Sequence, residues 1–232
     1  LSSAFGVSPQ QIGLIVPAYL IPYGVSTLIY GLLSDRLGRR RILLASVLAF
    51  IVLTALTATA QSSAQLLWWR LLTGLGASGV VPLSLALVGA LFPYEQRGRP
   101  LGLLFGAMAG GAAIGSTVGV ILEPFVGWRL LFVGVAVLGA LAFGLLFPYR
   151  ALLGGPPAEA RPLAQVSAGY RALLVPGRGL RTYAFVFWNG IFHSGVFTWL
   201  GVYFEQRYGL GEVGIGLLAL AALVVRECQL RL

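Results

Sequence analysis

The chain has 232 residues, of which 58% are hydrophobic and only 10% are charged. A soluble domain carries about 25% charged residues, so this composition excludes a water-soluble enzyme or binding module and implies a protein embedded in a bilayer. The net charge of +9 rests on sixteen basic residues, all arginine; most fall in polar turns between apolar runs, where they orient the chain and attract anionic lipid rather than nucleic acid.

The apolar runs are continuous and not alternating, which excludes a membrane strand barrel and leaves membrane helices. Residues 1–10 are uncharged and turn-like, and Ser8-Pro9 reads as a helix start, with Pro9 suited to the first turn. The first span covers 10–33. Pro17 and Pro22 each remove a backbone hydrogen bond there; they either permit bending or reflect the greater frequency of proline in membrane helices. Tyr19, Tyr23 and Tyr30 fall on one face of this span, lining a water-filled path or packing between helices.

A cationic turn follows: Gly31-Leu32-Leu33-Ser34-Asp35-Arg36-Leu37-Gly38-Arg39-Arg40-Arg41. It is flanked by two uncharged runs, each long enough to cross a hydrocarbon core of roughly 30 Å. Its four arginines place it on the cytoplasmic side. Gly31 and Asp35 are four residues apart and share a helix face. Gly31 admits a close backbone, Asp35 stands at the membrane edge for a positive partner, and Gly38 permits the reversal. This run resembles the loop signature of the major facilitator superfamily, G-x-x-x-D-R/K-x-G-R/K-R/K, with Gly31, Asp35, Arg36, Gly38, Arg39 and Arg40 at its fixed positions. The resemblance implies a latch between two rocking helix bundles.

Span 42–60 is apolar and reads as a peripheral helix. Span 65–91 opens with Trp68-Trp69, suited to an outer interface belt, and then carries Arg70, Gly74 and Gly76. An arginine inside a span is costly and marks a functional site by default; the alternative is a side chain that reaches back to the outer surface. The stretch resembles the superfamily's R-x-x-x-G-x-G signature, which implies a role for Arg70 in proton coupling or in holding the cavity's electrostatics; Gly74 and Gly76 are expected to pack against a neighbouring helix.

A second basic turn, Phe92 to Pro100, leads into span 100–122. There Gly102, Gly106 and Gly110, and then Gly111, Gly115 and Gly119, form two rows at four-residue spacing that favour close helix packing in lipid. The second row resembles the superfamily's antiporter motif, but Ser116 and Val120 replace its proline and last glycine, which weakens any implication of antiport and leaves plain packing as an equal reading. Glu123 to Arg129 forms a short outer turn in which Glu123 and Arg129 are expected to pair, and span 128–148 is apolar.

Residues 149–179 are the long polar connection, with an amphipathic helix expected over 163–174 on the inner surface. Span 180–204 holds Asn189 and His193 on one face. With Tyr23 they are candidates to line a substrate cavity; His193 either contacts substrate or a proton, or is a packing residue. A last apolar run, about 211–225, reads as a partial span.

The sequence therefore predicts an all-α, polytopic membrane bundle of six complete spans and part of a seventh. By resemblance these are helices two to eight of a twelve-helix transporter, with the first helix and most of the second half expected to lie outside this fragment. Residues 1–148 form a half-bundle, 149–179 a cytoplasmic linker and 180–232 the start of the second half. No catalytic constellation, metal-ligand spacing or phosphate loop is present in the sequence, and no cofactor is expected. The function expected is alternating-access transport of a small molecule across the cytoplasmic (inner) membrane, with proton coupling and efflux as its finer form. A pump permease subunit, a scaffold or receptor of the same fold, and a truncated product without function are the alternatives.

Overall fold

The structure is a computed structural model that describes residues 5–154 and 178–209. Their α-helices are α1 (Pro9–Gly13), α2 (Ile15–Leu37), α3 (Arg39–Thr57), α4 (Ser63–Ala77), α5 (Val80–Leu91), α6 (Gly98–Leu146) and α7 (Arg178–Tyr208), with short 3-10 turns at Tyr94–Gln96, Phe147–Tyr149 and Leu152–Gly154. Among the described residues there is no strand. The chain divides into two compact units, one of Leu1–Ala109 with Leu122–Glu159 and one of Gly110–Ile121 with Ala160–Leu232.

In the first unit, Ser8 caps α1 by a reciprocal exchange: its hydroxyl accepts from the Gln11 N–H at 3.3 Å, and the Gln11 side chain accepts from the Ser8 N–H at 3.3 Å. The predicted first span is broken at Leu14. Pro17 has no N–H for the Gly13 carbonyl, so the helical ladder lapses at that point. The chain then runs through α2 past Pro22 to Leu37.

α4 packs against both α2 and α3 and is the centre of this unit. Its glycines explain how. A side chain at Gly74 would run into the backbone carbonyl of Tyr19 in α2, and one at Gly76 would stand 2.9 Å from the Ala49 Cβ in α3. Just beyond α4, a side chain at Gly79 would collide with the Ser46 hydroxyl and the Tyr30 ring. Without a bulk hydrophobic drive between helices in lipid, such close backbone approach is what holds them together. α3 is not peripheral on every side: Ile42, Leu43, Ser46, Thr54 and Thr57 are buried, while Leu48 and Val52 face outward.

The predicted span 65–91 is two helices, with a break at Ser78–Gly79. Pro82 is the cause, because it offers no N–H to the Ser78 carbonyl four residues earlier. In lipid a freed carbonyl must find another donor. The Thr27 hydroxyl, which donates to the Tyr23 carbonyl of its own helix at 2.8 Å, lies 3.4 Å from the Ser78 carbonyl, and the Tyr30 hydroxyl lies 3.4 Å from that of Gly76. At the far end of α5, Arg97 donates to the carbonyls of Gly89 at 2.7 Å and Phe92 at 3.0 Å, closing that terminus.

α6 covers 49 residues and is interrupted at Gly127, whose φ of 74° and ψ of 159° leave the helical region. The expected outer turn is thus reduced to a single glycine kink. Arg129 does not pair with Glu123: its Nη2 donates to the Ala60 carbonyl at 2.9 Å, just past the end of α3, and its guanidinium lies 4.5 Å from the Trp128 ring. A cation at a helix C-terminus meets the negative end of the dipole. Trp128 is buried with Ala60 and Leu66, against Phe5 and Phe132. Replacing Arg129 with alanine is expected to cost about 1–2 kcal/mol, read as a lower melting midpoint of the purified protein; an unchanged midpoint contradicts this role.

A second cluster, Ile42, Leu43, Leu83 and Leu153, seals the end of the unit near Gly38. In the second unit, α7 carries a tilted Trp188–Phe192 pair at 6.2 Å and an edge-on Tyr203–Tyr208 pair at 6.2 Å.

Among the described residues, four helical runs are long and apolar enough to cross a membrane: Gln10–Gly31, Arg39–Thr57, Ser63–Leu91 and Gly98–Tyr149. The last has 52 residues, enough for two crossings on either side of Gly127. α7 has the length but, with Arg181, Asn189 and His193 along it, is not among them. The amphipathic helix expected at 163–174 and the partial span at 211–225 lie outside the described residues.

Candidate functional site

Two constellations hold the loop-signature residues and Arg70 with Tyr23. The first is the turn from α2 to α3. α2 ends at Leu37, and Gly38, with φ of 90° and ψ of 131°, serves as the last cap of α2 and the first of α3. Its N–H donates to the Ser34 carbonyl at 3.0 Å and its carbonyl accepts from Ile42 at 3.3 Å. A residue with a side chain rarely adopts that φ. Ser34 is buried and donates its hydroxyl to the Gly31 carbonyl at 2.7 Å, which pins the last turn of α2 beside Asp35.

Asp35 and Arg39 are half-buried, while Arg36, Arg40 and Arg41 are exposed. Among the described residues Asp35 has no ion-pair partner. The face it shares with Gly31 is also open, since a side chain at Gly31 would meet nothing within 4 Å. The turn therefore presents a carboxylate beside a helix surface that is vacant among the described residues, with a fringe of arginines behind it. Such a surface can take a cationic partner and a close helix.

The second constellation is the crossing of α2, α4 and α6 around Arg70. This side chain is half-buried, and its guanidinium carbon lies 4.8 Å from the centre of the Tyr19 ring and 5.5 Å from that of Phe132. Two aromatic faces therefore hold the charge. Its Nε is sealed from solvent and has no hydrogen-bond partner among the described residues, and neither has the buried indole nitrogen of Trp69. Tyr23, one turn along α2, stacks on Tyr19 at 5.7 Å. Trp68 is exposed, as an interface residue would be.

Asn189 is exposed on α7 and His193 follows one turn later on the same helix. They belong to the second unit, whereas Tyr23 belongs to the first. On α6, side chains added at Gly102, Gly106, Gly110, Gly111, Gly115 or Gly119 would meet nothing within 4 Å. These rows are open among the described residues, in contrast to Gly74 and Gly76, which are filled by α2 and α3.

Sequence reasoning missed the Ser78–Gly79 break, although Pro82 was a usable signal for it. It also missed Tyr19 and Phe132 as the partners of Arg70. No local pattern announces Phe132, because it stands 62 residues from Arg70 in sequence. Among the described residues there is no group of three or more acidic, histidine or cysteine side chains that could hold a metal.

Comparison with known proteins shows the family of the chain. The family model of the major facilitator superfamily matches residues 1–226. The chain is 31% identical over 136 residues to multidrug resistance protein 3 of Bacillus subtilis, covering 58% of the chain and 26% of that protein. It is 31% identical over 145 residues to a chloramphenicol resistance protein of Pseudomonas aeruginosa, covering 61% of the chain and 35% of that protein. It is 31% identical over 227 residues to the MFS-type transporter YceJ of Bacillus subtilis, covering 95% of the chain and 56% of that protein. The chain thus spans between about a quarter and just over half of these relatives' lengths. With a match over nearly its whole length, this multi-pass membrane chain belongs to the major facilitator superfamily.

Proposed function

We propose that the chain is part of a secondary transporter that moves a small molecule across the cytoplasmic membrane by alternating access. The relatives named for drug resistance support efflux as the direction. The observation that carries the reading is the Asp35 turn: a half-buried carboxylate that is unpaired among the described residues, beside a surface at Gly31 that none of them covers, held in place by the Gly38 cap. In this reading Asp35 with Arg36, Arg39 and Arg40 closes the inner face against a moving partner helix. Residues 1–148 form one half-bundle, 149–179 the cytoplasmic linker, and 180–232 the start of the other half. Arg70 serves coupling to protons, Tyr23, Asn189 and His193 line the substrate cavity, and the glycine rows of α6 receive neighbouring helices.

The test is flux in membrane vesicles carrying the protein as its cell makes it. A panel of labelled organic compounds should show at least one that is moved against its gradient, and a protonophore should abolish that movement. Vesicles indistinguishable from empty ones across the panel would identify a scaffold or an inactive product instead. Movement that survives the protonophore would keep transport and remove proton coupling.

A further inference from the structure

Among the described residues the charge of Arg70 has no counter-ion. None of the seven acidic residues lies inside the spans 10–33, 65–91 or 128–148 that meet at this crossing: they are Asp35, Glu95, Glu123, Glu159, Glu205, Glu212 and Glu227. Among the described residues Arg70 makes no ion pair and no hydrogen bond. What it has is aromatic: the rings of Tyr19 and Phe132 at 4.8 and 5.5 Å, with Tyr23 stacked behind Tyr19. An uncompensated guanidinium at membrane depth is expensive. Aromatic faces offset part of that cost but supply no acceptor for its N–H groups.

We infer that this crossing is a binding site for a small organic carboxylate. The planar fork of a guanidinium matches a carboxylate in two parallel hydrogen bonds, and the pair is strongest where water is scarce. The rings that position the fork also offer apolar walls to the body of such a ligand. The sealed, unpartnered indole N–H of Trp69 sits in the same apolar cluster as Phe132 and adds a second unused donor to this region. The inference rests on the transporter reading and names a substrate class for it.

The test is equilibrium binding to the purified protein as its cell makes it, in nanodiscs of zwitterionic lipid. The probes are benzoate and hexanoate, each against its neutral amide, benzamide or hexanamide. Saturable binding is expected for a carboxylate, with its amide weaker by at least about tenfold, because the amide gives up the charge-assisted pair. Arg70→Lys keeps the charge but loses the fork, and should weaken carboxylate binding while leaving the amide unchanged. Should the variant fail to fold, the comparison of acid with amide on the unaltered protein still decides. Equal binding of acid and amide, or no saturable binding of either acid, overturns the inference. The latter is also the result expected if an acidic side chain of the protein already occupies Arg70. Because binding is read without flux, its failure leaves the transporter reading standing, whereas a loss of vesicle flux leaves the carboxylate site to be judged on its own.

Discussion

Gly74→Val is expected to destroy the packing of the first unit, while Gly134→Val on α6 is tolerated. A Cβ at position 74 is driven into the main-chain carbonyl of Tyr19, whereas one at 134 meets nothing within 4 Å. The opposing atom decides the cost. A flexible side chain can turn aside, but a backbone carbonyl inside a helix cannot move without taking α2 with it. Overpacking costs about 1–3 kcal/mol in ordinary cores, and the backbone contact puts Gly74→Val at or above the upper end. α4 is also the helix that both α2 and α3 lean on, so the damage spreads to the Arg70 crossing and to the break at Ser78–Gly79. The measurement is the melting midpoint and monodispersity of the two purified variants by fluorescence-detected size exclusion. Equal midpoints would show that α2 and α4 are not in that close contact.

The second large effect is on Asp35→Asn. The substitution keeps shape and most hydrogen bonding but removes the charge. The side chain is half-buried and makes no ion pair among the described residues, so no structural cost to the turn itself is expected. The Gly38 cap and the Ser34–Gly31 bond, which shape the turn, do not involve the Asp35 side chain. Its effect should fall on the conformational equilibrium, because in the proposed carrier Asp35 meets its partner in only one of two states. A charge-assisted contact is worth about 1.5–3 kcal/mol, which converts to a flux loss of about tenfold or more. Protein level and melting midpoint should stay at wild-type values. Wild-type flux from Asp35→Asn would remove the latch from the account.

Much of the architecture was legible because a bilayer imposes few choices. A long uncharged run must be helical, and a cluster of arginines must stay in water. The reversal at Gly38 was legible for the same kind of reason: glycine after a run of helical residues, followed by three arginines, permits little else than a turn. What the sequence hid was interruption and partnership. Span 65–91 looks continuous because its second half carries no charge and, apart from Ser84, is apolar, yet Pro82 removes one donor and the helix breaks at Ser78–Gly79. The hydroxyls of Thr27 and Tyr30 on another helix approach the carbonyls of Ser78 and Gly76 beside the break, and such an approach leaves no trace in local periodicity. The outer turn at 123–129 was over-read. Polar residues and Pro124 suggested a loop, but helical backbone persists on both sides of Gly127.

The Arg70 site shows the same division. An arginine within an apolar span is visible in the sequence, and its cost in lipid makes it a candidate without further information. That its charge rests on Tyr19 and Phe132, and on no acid among the described residues, emerges only when three helices are brought together. The expected pairing of Glu123 with Arg129 failed for a related reason: the carbonyl of Ala60, left open just past the end of α3, is a nearer and better-placed acceptor.

The central claim is that Asp35 stands at the cytoplasmic mouth as one side of a clasp that opens and closes. A cysteine placed at position 35, with Cys228 replaced by serine, reports this directly through membrane-impermeant thiol reagents applied to right-side-out and inside-out vesicles. The account predicts labelling only in inside-out vesicles, at a rate that changes when a transported substrate is added. Labelling in right-side-out vesicles would contradict it.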